Sequence, residues 1–392
     1  MRLTVLLSVF LLFVVFNIDA QEFLSKSKQV ATKKGELIVC DRSLLKETIT
    51  IPLSDFTEEL QIVKLDDADE ALVSDKYGAL ITENFIFLRG DRQMPYKLFD
   101  KKTGKFLTNI GAYGQGPNEY QNIYDQQVDE ENDRIYLLPW QARQILVYDL
   151  KGNNLPPIPL CYPVPKGSFK VDTKAETVIV SVLPFAGSNP AVVWQQTTKG
   201  KLLKSVDSGH LAVAPDFSNE MSVYKGGDRY GFHVFTFAPR IDSIYSYDVA
   251  NNKIIPVFTM DFKSQNLPIH NYAESKNYFM GDFSEPKQID ERTQTTQNQR
   301  YYIVDKNTLK GAFFVLENDF LGGEEIGWPI YVISGEYYSR NADPGNLKDE
   351  LEELLKTNKN LSSEMKAKLT KLKDSITADN DNNYILYAKM KK

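Results

Sequence analysis

The 392-residue chain carries 46 Lys and Arg against 52 Asp and Glu, a formal charge of −6. An acidic balance without a basic patch excludes nucleic acid and anionic membrane surfaces as electrostatic partners. Cys40, Cys161, His210, His233 and His270 are all the cysteines and histidines present, too few and too scattered for a metal set, so no metal or other cofactor is expected.

At the N-terminus, Arg2 precedes an apolar run from Leu3 to Phe16, followed by Asn17-Ile18-Asp19-Ala20. A basic start, a short apolar core and a small residue at the cleavage point read as a signal peptide over 1–20. The run is short of the roughly 20 apolar residues that a spanning helix needs. Leu37-Ile38-Val39-Cys40 is no lipobox, because branched Val39 stands where a small residue is required and the segment lies well past the apolar run. The protein is therefore expected to be exported, periplasmic or extracellular, with no lipid anchor and no transmembrane span in the mature chain. Cys40 and Cys161 could pair there, but a chain this long buries enough apolar surface without a staple. Residues 21–50 read as an N-terminal extension and 51–392 as one domain.

Five segments then repeat one pattern: an apolar strand, a polar turn and a second apolar strand. They are "YKLFDKKTGKFL" from Tyr96, "ILVYDLKGNNL" from Ile145, "VVWQQTTKGKLL" from Val192, "SIYSYDVANNKII" from Ser243 and "YYIVDKNTLKGAFF" from Tyr301. Asp100, Asp149, Gln196, Asp248 and Asp305 hold the matching position, at steps of 49, 47, 52 and 57 residues. A side-chain oxygen there can hold the turn's own backbone, so the aspartates are expected to form turns rather than to catalyse. Two further strand-like runs precede each of the first three hairpins, as "YGALI" and "NFIFLR" precede the first. Four antiparallel strands at this period describe propeller blades.

The C-terminal "NNYILYAKMKK" is a strand without a following partner, and "EELQIVKL" (Glu58 to Leu65) is a strand without a hairpin. Pairing the two closes the ring and leaves neither edge open. The expected fold is all-β: a six-bladed β-propeller closed by its N- and C-terminal strands, with a helical insertion at about 343–378 in the last blade. "NLKDELEELLKTN" and "SSEMKAKLTKLKDSI" carry that insertion, with Leu347, Leu351, Leu354 and Leu355, then Met365, Leu369 and Leu372, at helical spacing.

The runs "EELQIVKLDDADEAL", "KLFDKKTGKFLTNIGAYGQGPNEY" and "DNDNNYILYAKMKK" together resemble a family of exported bacterial six-bladed propellers related to NHL repeats. The resemblance covers roughly residues 50 to 392, and the G-x-x-G-x-G-P-x-E-Y corner at 111–120 is its most specific part. Asn383 departs from the family's usual proline. The resemblance implies architecture and little about activity.

In a meander of strands a to d, the b–c turns and the d-to-next-a links share one face. "IGAYGQGPNEY" (Ile110 to Tyr120) is such a link, and no Lys-Ser/Thr pair follows its last glycine, so it is no phosphate loop. The b–c loops place Arg92, Trp140, Arg143 and Arg240 on that face, as candidate ligand-binding residues for carboxylates and flat sugar or aromatic faces. Each could equally be a solvated loop residue. The helical hairpin is read as the last blade's b–c connection, and so as a cap on the same face.

No catalytic residue is assigned. "ADNDNNY" fails as a calcium loop, since it lacks the required Gly and Glu. The function expected is an extracytoplasmic binding or interaction propeller, monomeric. Its partner is a small-molecule, oligosaccharide or peptide ligand at the channel mouth, or another envelope protein. The alternative is a metal-dependent lactonase or hydrolase, for which Glu119 and Asp91 are the nearest carboxylates.

Overall fold

The computed structural model describes residues 22–25, 27–74, 78–90, 94–226, 229–290, 294–377 and 381–391. The signal segment 1–20 lies outside them, as do Asp91 and Arg92. Five antiparallel four-stranded meanders follow one another. Blade 1 is Ala79–Ile81, Phe85–Leu88, Tyr96–Asp100 and Phe106–Ile110, and blade 2 is Ile123–Asp129, Arg134–Pro139, Ala142–Tyr148 and Asn154–Val164. Blade 3 is Gly167–Asp172, Thr177–Val182, Ala191–Thr197 and Leu202–Asp207. Blade 4 is Glu220–Tyr224, Gly231–Phe235, Ile244–Asp248 and Lys253–Asp261, and blade 5 is Ile269–Glu274, Tyr278–Gln288, Gln294–Asp305 and Gly311–Asn318. The middle strands read as near-continuous apolar runs because both of their faces are buried between neighbouring blades, Trp194 and Val180 among them.

Blade 6 closes the ring. Tyr337–Ala342 pairs with Tyr384–Lys389, which pairs antiparallel with Gln61–Lys64 in the register Tyr384↔Lys64 to Tyr387↔Gln61. The propeller is thus six-bladed and closed by strands from both ends of the chain.

The repeated aspartates hold their turns. Asp100 Oδ1 accepts from the Thr103 amide at 2.8 Å, and Asp149 Oδ1 from the Asn153 amide at 2.8 Å. Asp248 and Asp305 do the same for Asn251 and Thr308. Gln196 breaks the pattern because it works sideways. Its Oε1 accepts from the Cys161 amide at 3.0 Å and from Trp194 Nε1 at 2.9 Å, binding blade 3 to the outer strand of blade 2.

The N-terminal segment before the propeller covers blade edges that would otherwise template foreign strands. Ala31–Lys34 and Leu37–Asp41 form a hairpin whose second strand lies parallel to Lys253–Asp261 of blade 4. Thr48–Pro52 lies parallel to Gly311–Asn318 of blade 5. Cys40 is buried in the first of these additions, Cys161 lies in blade 2, and both are free thiols.

Two helices, Pro344–Thr357 and Ser363–Ser375, lie between the first and second strands of blade 6. Asp343 caps the first at the Asn346 amide and Ser362 the second at the Met365 amide. The expected b–c position is corrected here: Tyr337–Ala342 is an innermost strand, so the helices start from the face opposite the one assigned. The first, 14 residues and so about 21 Å long, climbs the blade, and Asn358 beyond its end bonds the Gly322 carbonyl at 3.0 Å. Leu347, Leu351 and Leu369 are buried with Phe314 and Leu316 of blade 5 and Leu386 of blade 6. The hairpin therefore seals the flank between two blades and does not cap the channel.

Candidate functional site

The glycine corner explains itself locally. The Gly116 amide donates to Glu119 Oε2 at 2.8 Å, and a Cβ on Gly116 would meet the Glu119 carboxyl carbon at 3.0 Å. One on Gly114 would clash with the same carboxylate. The glycines make room for Glu119 to fold back over the loop's own backbone. Tyr120 donates to the Ile110 carbonyl and accepts from the Tyr96 amide at 2.7 Å. The corner is a self-satisfied link from blade 1 to blade 2.

Of the four expected binding residues, Arg92 lies outside the described residues. Trp140 is 42% exposed, and its ring lies 5.8 Å from that of Phe217 in the link from blade 3 to blade 4. Arg143 is exposed at the start of the next strand, three positions along. Arg240 is engaged in architecture. Its Nε pairs with Asp242 Oδ2 at 3.0 Å, and its terminal nitrogens donate to the carbonyls of His210, Leu211 and Ala212 at 3.2 to 3.3 Å. That clamp ties blade 4's b–c loop to the link that precedes the blade. Arg240→Ala leaves the Asp242 carboxylate, 2% exposed, without its cation. The expected loss is about 3 kcal/mol of stability, read by chemical denaturation; a loss below about 1 kcal/mol would show the clamp to be idle.

Sequence reasoning missed the centre of the mouth. Glu220, first residue of blade 4's inner strand, pairs with Lys166 and accepts from Tyr124, which heads the inner strand of blade 2. Lys166 is 8% exposed at its side chain and also donates to the carbonyls of Phe217 and Asn219. Burial lowers the Lys166 ammonium and raises the Glu220 carboxyl to about 7, although contact with Lys166 opposes the rise. A second pair, Lys225 with Asp125 at 2.5 Å, also joins blades 4 and 2.

Across from Glu220, Tyr331 bonds Asn271 of blade 5's inner strand. Trp328 lies 6.3 Å from Tyr331 and is 56% exposed. Its backbone sits at φ 54°, ψ 49°, a left-handed conformation costing a bulky residue about 1 to 2 kcal/mol. Between these groups lies an open cavity of about 360 Å³, lined by Glu220, Ser222, Tyr224, His233, Tyr272, Glu274 and Tyr331 among others. Its size is that of a small-molecule site.

Every large aromatic side chain exposed among the described residues lies on this face. Tyr113, Phe217, Trp328 and Tyr331 stand in d-to-a links, and Trp140 and Phe237 in b–c loops. Among the described residues, no group of three or more His, Cys, Asp or Glu is placed to hold a metal ion. None of their helices is long and apolar enough to cross a membrane.

A family model described as Domain of unknown function (DUF4934) matches residues 37–389. The chain belongs to the DUF4934 family. No curated protein matches it. Among solved structures, a "Putative exported protein" from Bacteroides fragilis aligns at 15% identity and a TM-score of 0.58, over 90% of this chain and 100% of that one. A member of the DUF4221 family from Bacteroides vulgatus aligns at 11% identity and a TM-score of 0.44, over 86% and 97%. The first likeness speaks to the fold alone.

In this DUF4934 chain the mouth is assembled from strand starts far apart in sequence. Tyr124, Lys166 and Glu220 each stand at or one position before or after the first residue of an inner strand. That recurrence, once a blade register is known, is the signal that could have found them.

Proposed function

We propose that this protein is an exported, extracytoplasmic binding propeller that holds an oligosaccharide or peptide ligand across the mouth between Trp140 and Trp328. The observation that carries the reading is the gathering, on one face of a rigid scaffold, of the six large aromatics exposed among the described residues. Aromatic rings offer contact area at low entropic cost, and loops on a propeller face are free to vary around them. The leader-like segment 1–20 and the exported name of the Bacteroides fragilis neighbour support export.

The test is thermal stabilisation and calorimetry across panels of oligosaccharides, peptides and divalent metals. A binder from the first two panels is expected, and Trp140→Ala and Trp328→Ala should each weaken it about tenfold, as truncated interface anchors do. Stabilisation by a metal alone, reversed by a chelator, would favour the hydrolase alternative. Aromatic variants that bind as the parent does would remove the mouth from the account.

A further inference from the structure

The floor of the cavity holds two buried hydrogen-bond acceptors without partners. Glu274 is 3% exposed; its Oε1 takes Lys306 at 2.6 Å and Arg229 at 3.0 Å, and its Oε2 takes nothing. His233 is 2% exposed, and its Nδ1 lies 3.4 Å from the Ser243 carbonyl oxygen. A carbonyl only accepts, so the proton sits on Nδ1, and the unpartnered Nε2 is an acceptor. Burial keeps the imidazole neutral by lowering it to about 4.

The two stations are adjacent. Gly231 and His233 are two apart on one strand and so share a face. A Cβ on Gly231 would come within 3.0 Å of Glu274 Oε2. The absent side chain leaves space beside that oxygen, and about 7 Å of strand separates the stations. Tyr224 and Tyr272 supply aromatic walls, and Glu220, Ser222 and Tyr331 also line the cavity.

Charge narrows the occupant. Glu220 already holds Lys166, and Glu274 already holds two cations. An ammonium would add a third positive charge beside Glu274, and a carboxylate would face bare acceptors. A neutral ring with several hydroxyl donors and an apolar face meets both constraints. We propose that this cavity is a subsite for one neutral pyranose unit, its hydroxyls donating to Glu274 Oε2 and His233 Nε2. The inference rests on the binding reading of the mouth and names the chemistry that its inner end selects.

Calorimetric titration of the protein with glucose, galactose, mannose, xylose and N-acetylglucosamine tests it, with glucosamine and glucuronate as charged probes. At least one neutral sugar should bind. His233→Phe, which removes the acceptor, and Gly231→Ala, which fills the space, should each weaken it about tenfold. His233→Gln, which keeps an acceptor, should retain most of the affinity, separating a lost hydrogen bond from a lost fold. Binding only of a charged probe, equal binding by His233→Phe, or ordered water alone in the cavity at saturating sugar overturns the proposal. If no monosaccharide binds but a longer ligand still depends on Trp140, the subsite falls and the mouth stands. If a sugar depends on His233 and no ligand depends on Trp140 or Trp328, the subsite stands and the mouth falls.

Discussion

Replacing Asn382 by alanine is expected to lower stability by about 2 to 5 kcal/mol, the cost of stranding one buried and two half-buried backbone groups. The side chain is 2% exposed. Its Nδ2 donates to the carbonyls of Asp66 at 2.7 Å and Ala71 at 2.9 Å, and its Oδ1 accepts from the Val73 amide at 3.2 Å. Those three groups lie in the segment that leaves Gln61–Lys64 and travels to blade 1, so one residue latches the two ends of the chain. Asn382→Asp should be no milder, because an acceptor would then face two carbonyls. The midpoint of urea denaturation measures both, and a loss under about 1 kcal/mol would show that strand pairing closes the ring without the latch.

The same latch gives the acidic run "ADNDNNY" a meaning other than metal binding. Asp381 pairs with Lys64 at 2.8 Å, and Lys64 also meets Asp67 at 2.7 Å, which together hold the ammonium above its ordinary value. The Asn383 amide donates to Asn382 Oδ1 at 2.9 Å, a bond that a proline at this position could not make. The Asn383 side chain donates to Asn341 Oδ1 at 2.8 Å, in the inner strand of the same blade.

What was legible in the sequence was what repeats. The hairpin aspartates and the unpartnered terminal strands carry local signals, because a turn must satisfy its own backbone and an edge must be covered. The helices were legible as helices but not in position. Reading Tyr337–Ala342 as an inner strand requires knowing that Gln61–Lys64 supplies the third strand of the blade and that none of the described residues supplies a fourth. The parallel additions Leu37–Asp41 and Thr48–Pro52 pair with strands more than 200 residues away and have no local signature. Arg240 looked free because a loop arginine usually is. Asp242, two residues on, was the available sign that it is clamped.

Asp282 should make stability fall as pH rises from about 4 to 6. It lies on blade 5 between Asn271 and Tyr301 in cross-strand register, is 6% exposed, and leaves Oδ1 unpartnered while Gln299 donates to Oδ2 at 3.0 Å. Burial raises its carboxyl to about 6, against the smaller opposing effect of Gln299. Near pH 4 the unfolded chain begins to release this proton while the folded chain keeps it, so each further pH unit favours unfolding until the folded group also ionises. The window spans about 2 units, or about 3 kcal/mol, lost in full above pH 6. Asp282→Asn removes the ionisation and keeps the shape. It is expected to unfold at higher urea than the parent at pH 8, with the two curves converging near pH 4. Parallel pH profiles, or a less stable variant at pH 8, would mean that the carboxylate finds compensation when charged. Asp282 lies beneath Tyr331, which bonds its cross-strand neighbour Asn271. On the proposed binding role of the mouth, a penalty retained under its aromatic edge is the expected cost of function over stability.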